Sequence, residues 1–192
     1  MSFSKEYWNK RYLDGQDGWD IGEISSPLKE YFKQLGDKEM RILIPGCGNA
    51  YEAICLMSQG FTNVFVLDYS DVVMERFRKA FPTFPRSHMI TADFFEHTGQ
   101  YDLIVEQTFF CALQPEQRSD YARQMHALLV PGGRLSGMLF TAEFKESPPF
   151  GGTTEEYEGY FRPFFEFHTW AACYNSIAPR QGREWFMILR KK

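Results

Sequence analysis

The fold of this chain is decided by residues Arg41 to Glu52, RILIPGCGNAYE. A short apolar run ends at Pro45, a turn that contains Gly46 and Gly48 follows, and an apolar helical pattern comes after the turn. This order predicts a strand, a tight turn and a helix. Such a turn lets backbone N–H groups approach a ligand without an intervening side chain, and it points a helix N-terminus at that ligand.

A second apolar run, VFVLD, ends at Asp68, about twenty residues after the glycine turn. A carboxylate at the end of the second strand can accept hydrogen bonds from both hydroxyl groups of a ribose. The two features together therefore predict a cofactor that contains adenosine. The alternative for Asp68 is an N-cap of the helix that begins near Tyr69 and Ser70.

The spacing of the glycines narrows the choice of cofactor. A dinucleotide fingerprint has a third glycine at the position where this chain has Tyr51. A phosphate-binding loop continues with Gly-Lys-Ser/Thr, and that sequence does not follow this turn. Both observations disfavour nicotinamide dinucleotides and ATP. S-adenosylmethionine fits better, because its amino-acid end needs backbone hydrogen bonds rather than a cationic cradle.

The composition predicts one globular domain. The 192 residues are 44% hydrophobic and 17% aromatic, which excludes a disordered chain, and no apolar run reaches the roughly 18 residues that span a membrane. A net charge of −4 argues against a nucleic-acid or membrane partner and favours a small-molecule substrate. We expect a cytoplasmic protein with reduced thiols, because the N-terminus lacks a signal-peptide pattern and the cysteines lie apart, without metal-ligand spacing, at Cys47, Cys55, Cys111 and Cys173. The oligomeric state is left open, with a monomer as the expectation.

Strands and helices are predicted to alternate along the chain. Segments with helical spacing separate apolar, partly β-branched runs at residues 41–44, 64–68, 88–92, 102–106 and 134–140. This alternation predicts a parallel sheet with right-handed crossovers. Gly132 and Gly133 are expected to end the helix before the fifth strand, which is expected to start at Arg134.

The C-terminal segment departs from this alternation. Residues 164–174 and 184–189 both have strand patterns, and only a polar loop with Pro and Gly separates them. Two strands joined without a helix form a hairpin, so one strand must enter the sheet antiparallel. We therefore predict an α/β Rossmann-like class I methyltransferase fold, with a seven-stranded, mostly parallel sheet and an antiparallel C-terminal hairpin. It is expected to be a single domain over residues 1–192, with an N-terminal helical cap region at 1–36, to which the family resemblance given below assigns the part of a lid, and a core at 37–192.

Several longer segments carry a family resemblance. They are YWNKRYLDGQDGWDIGEISSPL (7–28), the PGCG turn, LDYS (67–70), ADFFE (92–96), YDLIVEQTFFCALQPEQRSDYA (101–122), LLVPGG (128–133), PPFGG (148–152) and IAPRQGREW (177–185). Because of these segments, the chain resembles the thiopurine S-methyltransferase superfamily, and most closely its thiol/halide methyltransferase branch. The FFCALQPEQR and IAPRQGREW segments are the most specific. The resemblance covers nearly the whole chain and implies S-adenosylmethionine as the cofactor.

The resemblance also implies a set of cofactor-binding residues. An aromatic lid would be formed by Trp8, Tyr12 and Trp19, and Tyr12 stands where this branch usually has Trp. Gly46 would contact the methionine end, Asp68 the ribose and Tyr69 the adenine face. Asp93 and Phe94 would lie at the adenine edge, and Glu106 and Gln107 at the methionine part and the reacting centre. Thiopurine-type members have an arginine in place of Gln107, which puts a preference for thiopurines in doubt.

Each of these residues has a structural alternative. Trp8, Tyr12 and Trp19 can pack a helix onto the core, or they can present their rings to a sulfonium cation, a contact worth roughly 0.5–2 kcal/mol. Asp93 can cap a turn. Glu106 follows DLIV, at the carboxyl end of a central strand where open α/β sheets bind ligands, and its alternative is a surface salt bridge.

The acceptor side is less defined by the sequence. Candidates for the acceptor pocket are Phe109, Phe110, Phe150 and Tyr157, and candidates for attracting an anionic acceptor are Arg180 and Arg183, whose alternative is simple solvation. The histidines show no serine-type or metal-type arrangement. No general base or other catalytic residue is assigned, because a few per cent of a free thiol is already thiolate at neutral pH.

The predicted reaction is an in-line transfer of the methyl group to a small soft nucleophile, such as a thiol, hydrosulfide, thiocyanate or halide. Two alternatives remain open at this point. One is a small-molecule O- or N-methyltransferase, which would often need a base. The other is a non-catalytic module that binds S-adenosylmethionine and carries an exposed apolar patch along the aromatic segment from Tyr157 to Phe167.

Overall fold

The computed structural model describes residues 3–192. Helices and strands follow one another in the order α1 (Lys5–Leu13), α2 (Ser26–Phe32), β1 (Ile42–Pro45), α3 (Tyr51–Ser58), β2 (Val64–Asp68), α4 (Asp71–Ala80), β3 (Met89–Thr91), β4 (Tyr101–Gln107), α5 (Arg118–Leu128), β5 (Leu129–Phe140), α6 (Thr154–Phe161), β6 (Phe165–Ala172) and β7 (Glu184–Lys191). Short 3-10 turns lie at Arg86–His88, Phe94–Glu96, Phe110–Ala112, Pro115–Gln117 and Ala178–Arg180. The first two residues of the predicted lid lie outside the described residues.

The strands form one seven-stranded sheet in the order β3-β2-β1-β4-β5-β7-β6. Neighbouring strands are parallel from β3 to β5, whereas β7 pairs antiparallel with both β5 and β6. This arrangement confirms the predicted fold class, including the antiparallel C-terminal hairpin. The loop of that hairpin contains a 3-10 turn, Ala178–Arg180, which carries Arg180 to the edge of the sheet where the ligand is expected.

Burial on both faces explains why the central strands have continuous apolar runs. Every residue of β1 and β2 is buried. Alternate side chains belong to different clusters: Ile42 and Ile44 pack with residues of α2, α3 and α4, and Leu43 packs with residues of α5 and α6. A parallel sheet covered by helices on both sides has this pattern.

The predicted start of the fifth strand was wrong. The helix α5 ends at Leu128, and β5 begins at Leu129 rather than at Arg134, so Gly132 and Gly133 lie inside the strand. The pairing of β5 with β4 shifts register there, between Tyr101 and Leu103. Gly132 has φ +74°, and a Cβ on Gly133 would lie 2.9 Å from the carbonyl oxygen of Val130. The glycines therefore form a bulge, which the apolar pattern does not reveal.

The described residues contain no helix that is long and apolar enough to cross a membrane. All four cysteines are free thiols, and Cys55 is the half-buried one among them.

Candidate active site

Most of the predicted site residues lie near the carboxyl ends of β1, β2 and β4. Two adjoining cavities open there, and we call them the main cavity, of about 290 Å³, and the side chamber, of about 50 Å³. The N-terminal segment with α1 covers both. Residues Tyr12, Trp19, Gly46 and Thr108 line the main cavity and the side chamber alike, so these four form the wall between them.

The glycine turn leaves bare backbone at the junction of the two cavities. Gly46 and Gly48 have φ +58° and +53°, values that L-residues seldom adopt. A Cβ on Gly46 would lie 2.4 Å from Cδ2 of Phe109, so both the backbone conformation and the space require glycine. The absence of side chains here fits a ligand that is held through main-chain groups.

Asp68 joins the second strand to the glycine turn. Its Oδ2 accepts a hydrogen bond from the Gly48 N–H at 3.0 Å, and its Oδ1 accepts one from the Ser70 N–H at 2.9 Å. Burial raises the pKa of this carboxyl. Ser70 is the N-cap of α4, because its Oγ accepts from the Val73 N–H at 3.3 Å, so the capping alternative for Asp68 was wrong. A carboxylate offers about four lone-pair sites, and two backbone bonds leave others for the hydroxyl groups of a ribose.

The polar and aromatic residues Tyr69, Asp93 and Phe94 also line the main cavity. Oδ1 of Asp93 accepts from the Phe95 N–H at 2.8 Å and so caps the 3-10 turn that follows. Phe94 is buried and packs edge-on against Phe109 at 5.1 Å between ring centroids. Asp93 thus fulfils its structural alternative and lines the cavity as well.

The three N-terminal aromatics form one cluster over the junction. Trp19 meets Trp8 at 5.9 Å and Tyr12 at 5.7 Å, both edge to face. The cluster is tied to the core, because the Arg180 guanidinium donates to the Trp19 carbonyl oxygen at 2.7 Å and that of Arg76 donates to the Tyr12 carbonyl oxygen at 3.0 Å. The rings therefore pack the N-terminal segment, as one of the two alternatives predicted, and they also line the cavities. Their contact with a sulfonium cation stays a prediction.

The side chamber is more polar than the main cavity. Its wall includes Asp20, Glu52, Gln107 and Arg180. The carboxylate of Asp20 accepts from the Asn49 side-chain amide and, at 3.2 Å, from the Tyr51 hydroxyl. The Ser25 hydroxyl donates to Oε1 of Gln107 at 3.1 Å. These bonds fix the N-terminal segment against the glycine turn and the start of α3, through Asp20, and against the end of β4, through Ser25.

Comparison with known proteins agrees with this geometry. The family model described as thiopurine S-methyltransferase matches residues 3–186. The chain belongs to this family. It is 33% identical over 185 residues to the probable thiol methyltransferase 2 of Arabidopsis thaliana, and 30% identical over 186 residues to the thiocyanate methyltransferase 1 of Brassica oleracea. Each alignment covers 92% of this chain and 81% of the relative.

The fold is likewise that of known methyltransferases. A solved structure of the Burkholderia thailandensis 1,6-didemethyltoxoflavin-N1-methyltransferase, with bound S-adenosylhomocysteine, superposes with a TM-score of 0.78 at 18% identity. The match covers 98% of this chain and 87% of that one. As a member of the thiopurine S-methyltransferase family, the chain is a methyltransferase that uses S-adenosylmethionine. The bare glycine turn and the Asp68 carboxylate at one cavity fit that cofactor, so the family resemblance and the cofactor prediction are confirmed.

The structure places most of the predicted cofactor residues around the two cavities. Those on the main cavity are Trp8, Tyr12, Trp19, Gly46, Asp68, Tyr69, Asp93 and Phe94, and Gln107 and Arg180 lie on the side chamber. Their individual contacts with a ligand stay predictions. Arg180 is buried rather than solvated, because it bonds to the Trp19 carbonyl and lies 3.4 Å from Oε1 of Glu184.

Glu106 is placed differently from its prediction. It is 0% exposed and lines neither cavity; its Oε1 accepts from the N–H groups of Phe109 and Phe110, at 2.8 and 2.9 Å, and its Oε2 accepts from the Tyr121 hydroxyl. Both oxygens of the Glu106 carboxylate are thus bonded to groups of its own chain. The alternative of a surface salt bridge is wrong as well, since the residue is buried.

Three predicted acceptor residues also lie elsewhere. Phe110 and Tyr157 are core residues that pack edge to face at 5.1 Å, and the Tyr157 hydroxyl donates to the Phe140 carbonyl oxygen at 2.7 Å. Phe150 lines neither cavity, although its neighbours Pro148 and Pro149 line the main one. The aromatic segment from Tyr157 to Phe167 buries Tyr157, Phe161 and Phe165, so it does not form the exposed apolar patch that a non-catalytic module would need.

Glu52 and Thr108 are site residues that the sequence did not reveal. Thr108 has φ +57°, which is rare for a β-branched residue, and such strained conformations concentrate at functional sites. Glu52 lies in the first turn of α3 and lines the side chamber while only 6% of its surface is exposed. A carboxylate in the first turn of a helix is common for reasons of helix stability alone, so its position gave no functional signal.

Proposed function

We propose that this enzyme methylates a small soft nucleophile, namely a thiol, hydrosulfide, thiocyanate or a halide. The observation that carries the proposal is the size of the side chamber. About 50 Å³ compares with the roughly 10–15 Å³ that one water molecule needs in a cavity measured in this way, so the chamber has room for a few water-sized groups and suits an anion or headgroup of a few atoms and not a purine ring.

Two further observations support this acceptor class. The relatives at 33% and 30% identity are named a probable thiol methyltransferase and a thiocyanate methyltransferase. Gln107, a neutral residue, lines the side chamber where thiopurine-type members are expected to have an arginine. Arg180 on the same wall supplies positive charge, and we propose that it attracts an anionic acceptor.

The cofactor supplies a methyl carbon that is electrophilic because it is bound to a sulfonium. Asp68 would hold the ribose, Gly46 the methionine end, and Tyr69, Asp93 and Phe94 the adenine. The rings of Trp8, Tyr12 and Trp19 would stabilise the positive charge and exclude water from the junction of the cavities. Catalysis would then consist mainly of holding donor and acceptor about 3–3.5 Å apart in line.

The remaining predictions concern the whole chain. We propose that residues 1–192 form one domain, in which 1–36 act as a lid on the core of 37–192. The four unpaired thiols support a reducing compartment, and we place the enzyme in the cytoplasm as a monomer.

The test is incubation with S-adenosylmethionine and hydrosulfide, thiocyanate or iodide, with detection of volatile methylated products. Product from at least one of these acceptors is expected. If none is methylated while S-adenosylhomocysteine still binds, the acceptor class is wrong and the cofactor assignment stands.

The role of Asp68 is tested by calorimetry with S-adenosylhomocysteine. Asp68→Ala removes the predicted ribose acceptor, and the loss of one or two hydrogen bonds to a charged group, at about 1.5–3 kcal/mol each, should weaken binding by at least about tenfold. Asp120→Ala removes an exposed carboxylate on α5 and serves as the matched control. Equal affinities in Asp68→Ala and wild type would contradict the ribose role.

A further inference from the structure

Glu52 stands out among the acidic residues of the side chamber because it is buried, whereas Asp20 is half-buried and Glu23 is exposed. The carboxylate of Asp20 is also taken by Asn49 and Tyr51, which are side chains of the protein itself. The hydrogen-bond partner of Glu52 is its own backbone N–H. A buried carboxylate with spare lone pairs on the wall of a chamber is able to accept a hydrogen bond from whatever enters it.

The electrostatic surroundings of Glu52 come from several parts of the chain. Burial is the main cause that raises the pKa of Glu52, to about 7; the negative charge of Asp20 raises it further and the Arg180 guanidinium lowers it. The other titratable groups on the chamber wall are the Cys47 thiol, the Tyr12 and Tyr51 hydroxyls and the exposed carboxylate Glu23. Since burial raises the pKa values of Cys47 and Tyr12 well above neutrality, these two stay protonated. Glu52 is therefore a group on this wall whose protonation changes near pH 7.

We propose that the Glu52 carboxylate accepts the proton of a neutral thiol held in the side chamber as that thiol is methylated. This inference rests on the proposed function and adds a proton acceptor to it. The S–H bond of the acceptor breaks and its electron pair stays on sulfur, which forms the new S–C bond to the methyl carbon. The C–S bond of the donor breaks toward its own sulfur and gives S-adenosylhomocysteine. The proton resides on Glu52 and passes to solvent after the product leaves.

The chemistry of thiols explains why such a group is useful. A free thiol has a pKa near 8.5, so only a few per cent is ionised at neutral pH. An acceptor carboxylate that titrates close to the operating pH is matched to general-base work, which contributes about 10²–10⁴-fold to the rate. The sulfur becomes far more acidic as its bond to carbon forms, so the transfer to Glu52 is driven by the methylation itself.

A comparison of two acceptors separates this role from a structural one. An alkanethiol carries a proton that must leave, whereas thiocyanate has none. In Glu52→Gln we expect kcat/KM for an alkanethiol to fall by about 10²-fold, and kcat/KM for thiocyanate to stay within about threefold of wild type or to rise, because a negative charge is removed from the chamber. Glu30→Gln, an exposed carboxylate on α2 paired with Lys33, is the matched control and should change neither value.

Two measurements keep the test independent of any loss of structure. Glutamine closely resembles the protonated form of Glu52, and the affinity for S-adenosylhomocysteine verifies that the site is intact. The infrared difference spectrum between wild type and Glu52→Gln should show a protonated carboxyl band that disappears as the pH rises through about 7. With the alkanethiol, kcat/KM of the wild type should rise through the same pH range, and Glu52→Gln should lack that limb.

The outcomes are distinct. A fall in thiol methylation with thiocyanate methylation kept, together with the titrating band, establishes the role of Glu52. An equal fall with both acceptors, or an unchanged thiol rate in Glu52→Gln, removes the role and leaves the proposed function standing. If the wild type methylates thiocyanate, hydrosulfide or iodide but not the alkanethiol, the role of Glu52 fails and the proposed function stands. If it methylates none of these four acceptors, both fail.

Discussion

The buried carboxylate of Glu106 allows a quantitative prediction. Glu106→Gln keeps the shape of the side chain, and an amide oxygen in place of Oε1 can still accept from the N–H groups of Phe109 and Phe110. The amide NH₂ then faces the Tyr121 hydroxyl, which can rotate to become an acceptor. The substitution therefore removes the charge of Glu106 and retains its hydrogen bonds.

The magnitude follows from the pKa of this residue. Burial is the main cause that raises the pKa of Glu106 from 4.5 to about 7, against the opposing effect of its three hydrogen bonds. Because the folded-state pKa is raised, the native state is favoured when Glu106 is protonated, and that stability is lost as the pH rises from about 4.5 through about 7. A difference of about 2.5 pKa units at about 1.36 kcal/mol each corresponds to a loss of roughly 3 kcal/mol. Glu106→Gln has no carboxyl at this position and therefore shows no such loss. Glu52 titrates over the same pH range in both proteins, so its contribution cancels when they are compared.

Urea unfolding at several pH values between about 5 and 8.5 measures this difference. Across this pH range the wild type should lose roughly 2–3 kcal/mol of its free energy of unfolding that Glu106→Gln does not lose. The control Glu30→Gln should show the same pH dependence as the wild type. Since Glu106 lines neither cavity, thiocyanate methylation at neutral pH should stay within a few-fold of wild type. A difference in stability that does not vary with pH would refute the electrostatic reasoning. A loss of turnover of 10²-fold with unchanged binding of S-adenosylhomocysteine would place Glu106 at the reacting centre after all.

Two further substitutions test the cofactor side of the site. Gly46→Ala adds a Cβ 2.4 Å from the Phe109 ring at φ +58°, so S-adenosylhomocysteine should bind at least about tenfold more weakly by calorimetry. The control is Gly159→Ala, whose Cβ would meet nothing within 4 Å. This variant should bind S-adenosylhomocysteine normally and be more stable by about 0.5–1 kcal/mol. Arg180→Lys keeps the positive charge near Glu184 but loses the planar guanidinium that also donates to the Trp19 carbonyl oxygen. The N-terminal segment should then be held less firmly, and the affinity for S-adenosylhomocysteine should fall about five- to tenfold. Arg162→Lys, in an exposed pair with Glu158, is its control, and equal affinities in Arg180→Lys and wild type would show that Arg180 does not hold the lid.

The architecture was predictable because its signals are local. Apolar runs bounded by turn residues predicted the first four strands to within one residue at each end, and the absence of a helix between the last two runs predicted the hairpin. The start of β5 could not be predicted in the same way. It depends on a backbone bulge against Tyr101, and a Gly-Gly pair has the same sequence whether it ends a helix or lies in a bulge.

Within the site, positions that depend only on the first two crossovers could be predicted, and positions that depend on packing between elements could not. Gly46 and Asp68 are positioned by the first two crossovers alone, which the sequence pattern specifies. Glu106 is also at a strand end, but the direction of its side chain is decided by Tyr121 on α5 and by the N–H groups of the following 3-10 turn. Those partners come together only through packing between elements, so no spacing in the sequence indicates them.

Glu52 and Glu106 show why a perturbed pKa alone does not identify a functional group. Burial raises both values to about 7. The difference lies in what satisfies each carboxylate: Glu106 receives three hydrogen bonds from its own chain, whereas the partner of Glu52 is a single backbone N–H beside a chamber. A satisfied carboxylate holds the turn after β4 in place, and an unsatisfied one at a cavity wall has capacity left for a ligand. Hydrogen-bond partners therefore decide which of two equally titrating groups does chemistry.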